Sequence, residues 1–334
     1  MAYIKLNQEN LYYNINQLAL KTGNIEKIAA VLKDNAYGHG LEEMAKLVSS
    51  YGIKRAVVVN VKEAYKIKEL FDSILILNAN PIVAPNFSFA ITEIAQLKKL
   101  TKGVKVELKV DTGMHRNGIS LSQLPRALEI IKEKNINLKA IFTHFKSADI
   151  FSSELAWQMQ NWDDVKKIAT FAGFKDIEFH SQNSAALLRS NSFDDDYARV
   201  GIAMYGYNEL PDIYDKIELK PVVSLWAKRV STRLLKKGQR VGYGGNFRAK
   251  KDMIVSTYDL GYGDGWFRGD ANKPYITPEG LPILGTVSMD FISLESTKDE
   301  LCIFNNAQDA ARHFNTISYE ITTKLSPNLK REIV

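Results

Sequence analysis

Lys33 sits where a lysine could do covalent chemistry. It directly follows the apolar run AAVL and precedes a turn carrying Asn35, Tyr37 and His39, in VLKDNAYGHG (31–40). A lone lysine is ordinarily a solvated surface residue. At the mouth of a buried sheet, with its pKa lowered, it suits Schiff-base formation with an aldehyde. Other polar residues also end apolar runs. Lys109 and Arg116 lie in LKVDTGMHRNG (108–118), His144 follows Thr143, His180 leads into SQNSAA, and Arg199 opens RVGI. Ser184 and the backbone N–H groups after Gly201 could hold a phosphate, because helix starts present unpaired donors. Asn183-Ser184 reads equally well as a helix cap. His144 and His180 could be packed histidines, and neither has metal-ligand spacing, so no metal is expected. A lysine at one strand end and phosphate-holding groups at later ends suit pyridoxal phosphate, the protein supplying position and the cofactor the electron sink.

These residues need strands to carry them. Eight short apolar, β-branched runs occupy the first two thirds: 27–32, 55–60, 73–78, 87–91, 104–110, 138–143, 176–180 and 198–206. Amphipathic stretches separate them, such as LSQLPRALEIIKEKN, where Leu124, Leu128, Ile130 and Ile131 share a side at helical spacing. The alternation predicts βα units around a parallel sheet, and unbroken Val/Ile runs fit strands buried on both faces. Eight units match a (β/α)8 TIM-type barrel, with a doubly wound open sheet as the rival. In a barrel the polar segments would meet on one rim. After about residue 220 the pattern shifts to short strands between Gly, Pro and Asp turns, which reads as a mostly-β domain. Residues 1–220 are therefore expected to form the barrel and residues 221–334 the β domain.

The length of 334 residues suits two domains. Lys plus Arg (44) exceed Asp plus Glu (38) by only six, with no basic run, which argues against nucleic acid. Cys302 alone cannot build a disulfide framework. No long apolar stretch predicts a membrane span. The N-terminus has no apolar signal region, so the cytoplasm is the expected location.

The blocks AVLKDNAYGHG, VDTGMHRNG, THFKSAD, HSQNSAALL, RVGIAMYG, VGYGGNF, LGYGDGWFR, GTVSMD and TISYE follow one another in a recognisable order. The chain resembles alanine racemase, a fold-type III pyridoxal phosphate enzyme, from about Lys5 to Tyr319. The resemblance implies a homodimer whose active sites each combine one barrel with the partner's C-terminal domain. It implies that Lys33 carries the cofactor, that Tyr37, Ser184, Gly201, Ile202 and Tyr319 hold its phosphate, and that Arg199 faces its ring nitrogen. Arg116 would contact the cofactor phenolate and the substrate carboxylate, oriented by Lys109, a position carbamylated in some members.

Racemisation needs a proton removed from one face of Cα and returned on the other. The resemblance implies that Lys33 and the partner's Tyr243 serve the two faces. A free tyrosine titrates at about 10, so Tyr243 needs polar neighbours, and His144 and Arg199 are implied behind it, with His180 further out. Met289 and Asp290 match a segment that binds the substrate carboxylate, and Tyr262 and Tyr319 match tyrosines that narrow the entry. A narrow aromatic pocket suits a methyl side chain but discriminates weakly against an added hydroxyl. The expected activity is interconversion of L- and D-alanine for peptidoglycan; a serine or broad-specificity racemase is the alternative. Asp34 stands where the family more often has Ala or Ser, and the ending SPNLKREIV has no clear counterpart.

Overall fold

The computed structural model describes residues 1–214 and 217–334. Strand β1 (Tyr3–Leu6) opens the chain. The eight strands of the main sheet path that follow are β2 (Ile28–Val31), β3 (Arg55–Val58), β4 (Ser73–Ile76), β5 (Phe87–Ile91), β6 (Lys105–Asp111), β7 (Asn137–Phe142), β8 (Glu178–His180) and β9 (Ala198–Val200). They pair in parallel, in the order β9-β2-β3-β4-β5-β6-β7-β8. The remaining seam is crossed by backbone hydrogen bonds, from Asp196 N–H to the Phe179 carbonyl at 2.9 Å and from Arg199 N–H to the Gln182 carbonyl at 3.0 Å. The result is a nearly closed eight-stranded barrel, not an open doubly wound sheet. All eight expected runs supply a strand, including the proline-flanked run at Phe87–Ile91.

Compactness divides the molecule into two units. One comprises Tyr12–Ala36 and Met44–Lys220 and contains the barrel. Its helices bury one face each: along Leu124–Glu133, Leu124, Ala127, Leu128, Ile130 and Ile131 are buried, each large aliphatic side chain contributing about 1.5–3 kcal/mol.

The other unit comprises Met1–Leu11, Tyr37–Glu43 and Pro221–Val334. It is mostly β, built on β10 (Val223–Leu235), β11 (Met253–Tyr258), β12 (Ile292–Leu294), β13 (Glu300–Phe304) and β14 (Lys330–Ile333). The sheet runs β12-β11-β10-β1-β14, with β13 also on β10. The C-terminal tail thus becomes an edge strand, parallel to β1 from Tyr3↔Lys330 to Leu6↔Ile333. Leu235, Ala249, Met253, Val255 and Leu284 close a local core. Among the described residues no helix is long and apolar enough to cross a membrane.

Candidate active site

Lys33 stands two residues beyond the end of β2, followed by an unusual turn. Asp34, Asn35, Ala36 and Tyr37 all have positive φ, between 52° and 55°. Left-handed backbone costs roughly 1–2 kcal/mol per L-residue, so other groups must hold it. Ala36 N–H donates to the Leu32 carbonyl at 2.9 Å. The Glu63 carboxylate accepts from Asn35 N–H at 3.3 Å and from Val59 N–H at 2.9 Å, tying this turn to the end of β3. Strain of this kind collects at functional positions. Asp34 approaches the Lys33 ammonium at 3.7 Å.

Lys33, Lys109 and Arg116 line one cavity of about 340 Å³ at the barrel mouth, with Asn78, Gln96 and Asn117. That volume suits a small ligand. Asp111 shapes the turn that presents Arg116, accepting from Gly113 N–H at 2.9 Å and His115 N–H at 3.1 Å. Gly113 is required there: its φ is 137°, and a Cβ would lie 2.3 Å from the Trp157 ring. Lys109 is buried and donates to the Asn117 amide oxygen. Burial, then Arg116 and Arg199, push its amine down to about 8.

Arg199 lies buried in β9. Its Nη2 donates to the carbonyls of Thr143 (2.6 Å) and Ser181 (3.1 Å), and Nη1 to the His180 carbonyl (3.0 Å) and the His180 ring (2.5 Å). The Ser184 hydroxyl accepts from Gly201 N–H at 3.0 Å and Ala203 N–H at 3.3 Å, so Ser184 and the Gly201-Ile202 segment do meet. Asn183 caps the helix by accepting from Ala186 N–H at 3.0 Å. The Asn-Ser pair therefore divides its work: Asn183 caps, and the Ser184 hydroxyl faces the amides after β9.

Half-buried His144 registers the local charge. Its imidazole is pushed down to about 3, first by loss of solvation and then by Arg199, Lys109, Arg116 and Lys33. Four cationic side chains thus act through their charge on one ring. His180 is pushed down to about 4, chiefly by burial, with Arg199 adding to the shift and Glu107 opposing it. Both histidines are neutral at pH 7 in the fold but titrate at about 6.5 when unfolded. As pH falls through 6.5 the unfolded chain takes up protons that the fold refuses, so stability falls by up to about 1.4 kcal/mol per pH unit per histidine. The urea midpoint is expected to drop between pH 7.5 and 5.5, before the carboxylates titrate, and His180→Gln should flatten the drop. An equal midpoint at both pH values would contradict neutral histidines.

The β unit carries the remaining expected residues. The Tyr37 and Tyr319 rings lie 5.8 Å apart at 43°. Tyr243 is 71% exposed, in a turn where Gly242, Gly244 and Gly245 all have positive φ. Tyr262 N–H donates to the Ser288 carbonyl at 3.1 Å and Gly263 N–H to the Met289 carbonyl at 2.8 Å. Tyr262, Met289 and Asp290 therefore share one surface. A Cβ on Gly261 would lie 2.0 Å from the Met289 oxygen, so only glycine permits this approach.

Sequence reasoning missed Glu63, Asn117 and Glu107. Glu107 is buried beneath His180. Its signal was the two-residue alternation of VKVELKVD, which puts Glu107, Lys109 and Asp111 on one strand face.

Known proteins reproduce this architecture over its whole length. Residues 6–209 match the family "Alanine racemase, N-terminal domain" and residues 222–333 match "Alanine racemase, C-terminal domain". An alanine racemase from a Nitratiruptor species is 49% identical over 99% of both chains. The structure of a Clostridium difficile alanine racemase superposes with a TM-score of 0.89 at 25% identity, covering 100% of this chain and 95% of the other. A histidine racemase from Leuconostoc mesenteroides superposes with a TM-score of 0.86 at 27% identity, covering 100% and 98%.

Proposed function

The chain belongs to the alanine racemase family and catalyses amino-acid racemisation; from that premise we propose that it interconverts L- and D-alanine on pyridoxal phosphate held at the barrel mouth, using two opposed proton carriers. The carrying observation is that Lys33, Lys109 and Arg116 line one cavity of about 340 Å³ at the barrel mouth, and their charges, with that of Arg199, all act on His144. Such a site fits a ligand with a phosphate joined by a substrate carboxylate. When bound, pyridoxal phosphate supplies the electron sink that makes the Cα proton of an amino acid labile.

The chain's own residues do the rest. Lys33 attaches the cofactor and holds a proton at one face of Cα. Tyr243 of the partner subunit holds the proton at the other. Ser184, Gly201, Ile202, Tyr37 and Tyr319 receive the phosphate. Arg199 would face the ring nitrogen and, because arginine stays protonated in proteins, would offer it a hydrogen bond without giving up a proton. Arg116 binds the carboxylate, oriented by Lys109, with Met289 beside it. Tyr262 and Tyr319 restrict the entry to small side chains. Because the two carriers come from different chains, the working form is a homodimer: the barrel of one protomer would work with the Tyr243 turn of the other, while Tyr319 stays beside Tyr37 of its own chain. In this reading the D-alanine feeds peptidoglycan synthesis in the cytoplasm.

The test is to incubate purified protein and pyridoxal phosphate with L-alanine, and separately with L-serine, in D₂O. Chirality and Cα exchange are both followed. Racemised, deuterated alanine at a higher kcat/KM than serine is expected. Faster turnover of serine would overturn the alanine assignment.

A further inference from the structure

Below the mouth, the barrel interior carries a continuous polar line. Arg55, at the start of β3, donates to both oxygens of Glu178 at the start of β8, at 2.9 and 2.5 Å. Its guanidinium lies 4.7 Å from the centre of the Tyr197 ring. The Tyr197 hydroxyl donates to Glu107 Oε2 at 3.1 Å. The Ser88 hydroxyl donates to Glu107 Oε1 at 2.6 Å. His180 Nε2 lies 2.9 Å from Glu107 Oε2, and His180 Nδ1 lies 2.5 Å from Arg199 Nη1. Glu107 is 3% exposed and His180 is fully buried. The imidazole is clamped between Phe142, 4.9 Å away at 5°, and Tyr197, 4.2 Å away at 23°.

Proton bookkeeping along this line leaves one arrangement. Arginine only donates, so His180 Nδ1 must be the bare acceptor and Nε2 must carry the hydrogen. Nε2–H therefore donates to Glu107. That oxygen pair then accepts from an imidazole, a tyrosine and a serine, three donors that favour the ionised form, and the carboxyl is held below its ordinary range by them despite its burial. The carboxylate lies one imidazole away from the buried Arg199 charge. Barrel interiors are ordinarily filled by branched apolar layers, and apolar residues of equal volume would be at least as stable as a buried ionic chain. Stability therefore does not account for Glu107.

We propose that Glu107 is a positioning residue of the racemase site. It locks the tautomer and plane of His180, which in turn aims Arg199 and offsets its charge. The inference rests on the reading that Arg199 meets the cofactor ring. It parallels the way a carboxylate behind a metal-bound histidine fixes that ring, where loss of the partner costs about 10–100-fold.

The test combines histidine ¹⁵N–¹H NMR on the full-length protein, with and without pyridoxal phosphate, and kinetics of the loaded enzyme. His180 is assigned by loss of its signal in His180→Gln. Wild type is expected to show bare Nδ1 and a slowly exchanging, far-downfield Nε2–H, in both states. In Glu107→Gln the neutral acceptor should return that proton toward ordinary imidazole positions. The same variant should lower kcat about 10–100-fold by the same comparison, with KM for alanine little changed and a shifted absorbance of the bound cofactor. An Nδ1–H tautomer, or a charged imidazole at neutral pH, in the wild type overturns the proposal even if no variant folds. A folded Glu107→Gln protein with wild-type kcat and absorbance overturns it too. Failure of the wild type to racemise alanine would instead count against the parent reading, and the imidazole signal is independent of that outcome.

Discussion

Lys33→Ala is expected to lose both the visible absorbance of bound pyridoxal phosphate and at least about 10⁴-fold in racemisation. Two functions end together: attachment of the cofactor and proton transfer at one face of Cα. A positioned acid–base group alone contributes about 10²–10⁴-fold, and replacing the lysine would also remove the covalent hold on the cofactor. The fold should survive. Lys33 is half-exposed and lies outside the left-handed turn, whose φ values belong to residues 34–37. Exposed substitutions usually shift stability by no more than about 0.5 kcal/mol. Borohydride reduction followed by peptide mass analysis should fix the cofactor on Lys33 in the wild type and nowhere in the variant. An adduct on another lysine in Lys33→Ala would remove Lys33 from its assigned role.

Tyr243→Phe is expected to keep cofactor binding and lose about 10²–10⁴-fold in racemisation, the range for a positioned proton carrier. The loss should be asymmetric. Exchange of the Cα proton in D₂O should persist for the enantiomer whose proton faces Lys33 and stall for the other. Equal, undiminished rates in both directions would eliminate the two-carrier scheme. The exposure of Tyr243 within its own chain supports a sharper version. If each site joins Lys33 of one protomer to Tyr243 of the partner subunit, co-expressed Lys33→Ala and Tyr243→Phe chains should regain activity. Half the dimers would be mixed, each with one intact site, giving roughly a quarter of wild-type activity. No recovery despite mixed dimers would place both residues in one chain.

The site was unevenly legible in the sequence. Lys33 was readable because an apolar strand run ends in a lysine, and Ser184 because it opens a helix pattern after His180. The turn at 34–37 was not, because Asp-Asn-Ala-Tyr contains no glycine and its left-handed backbone is tied to the Leu32 carbonyl and to Glu63, a residue brought from beyond the end of β3. Glu107 was hidden for a different reason. An alternating strand with Glu107, Lys109 and Asp111 on one face reads as half-solvated. Asn117 gave no signal before the fold set it against Lys109.

By itself the sequence determined the eight barrel strands, the change to β structure near residue 220, and the residue types at the strand ends. Those are local matters of periodicity and side-chain chemistry. Tertiary structure decided which strand face looks inward, that the tail pairs with β1, and that Lys33, Lys109 and Arg116 line one cavity. The reason is that closure of a sheet is a non-local event. The same alternating face is wet on an open strand and dry inside a barrel, and only the dry face forces Glu107, His180 and Arg199 to satisfy one another.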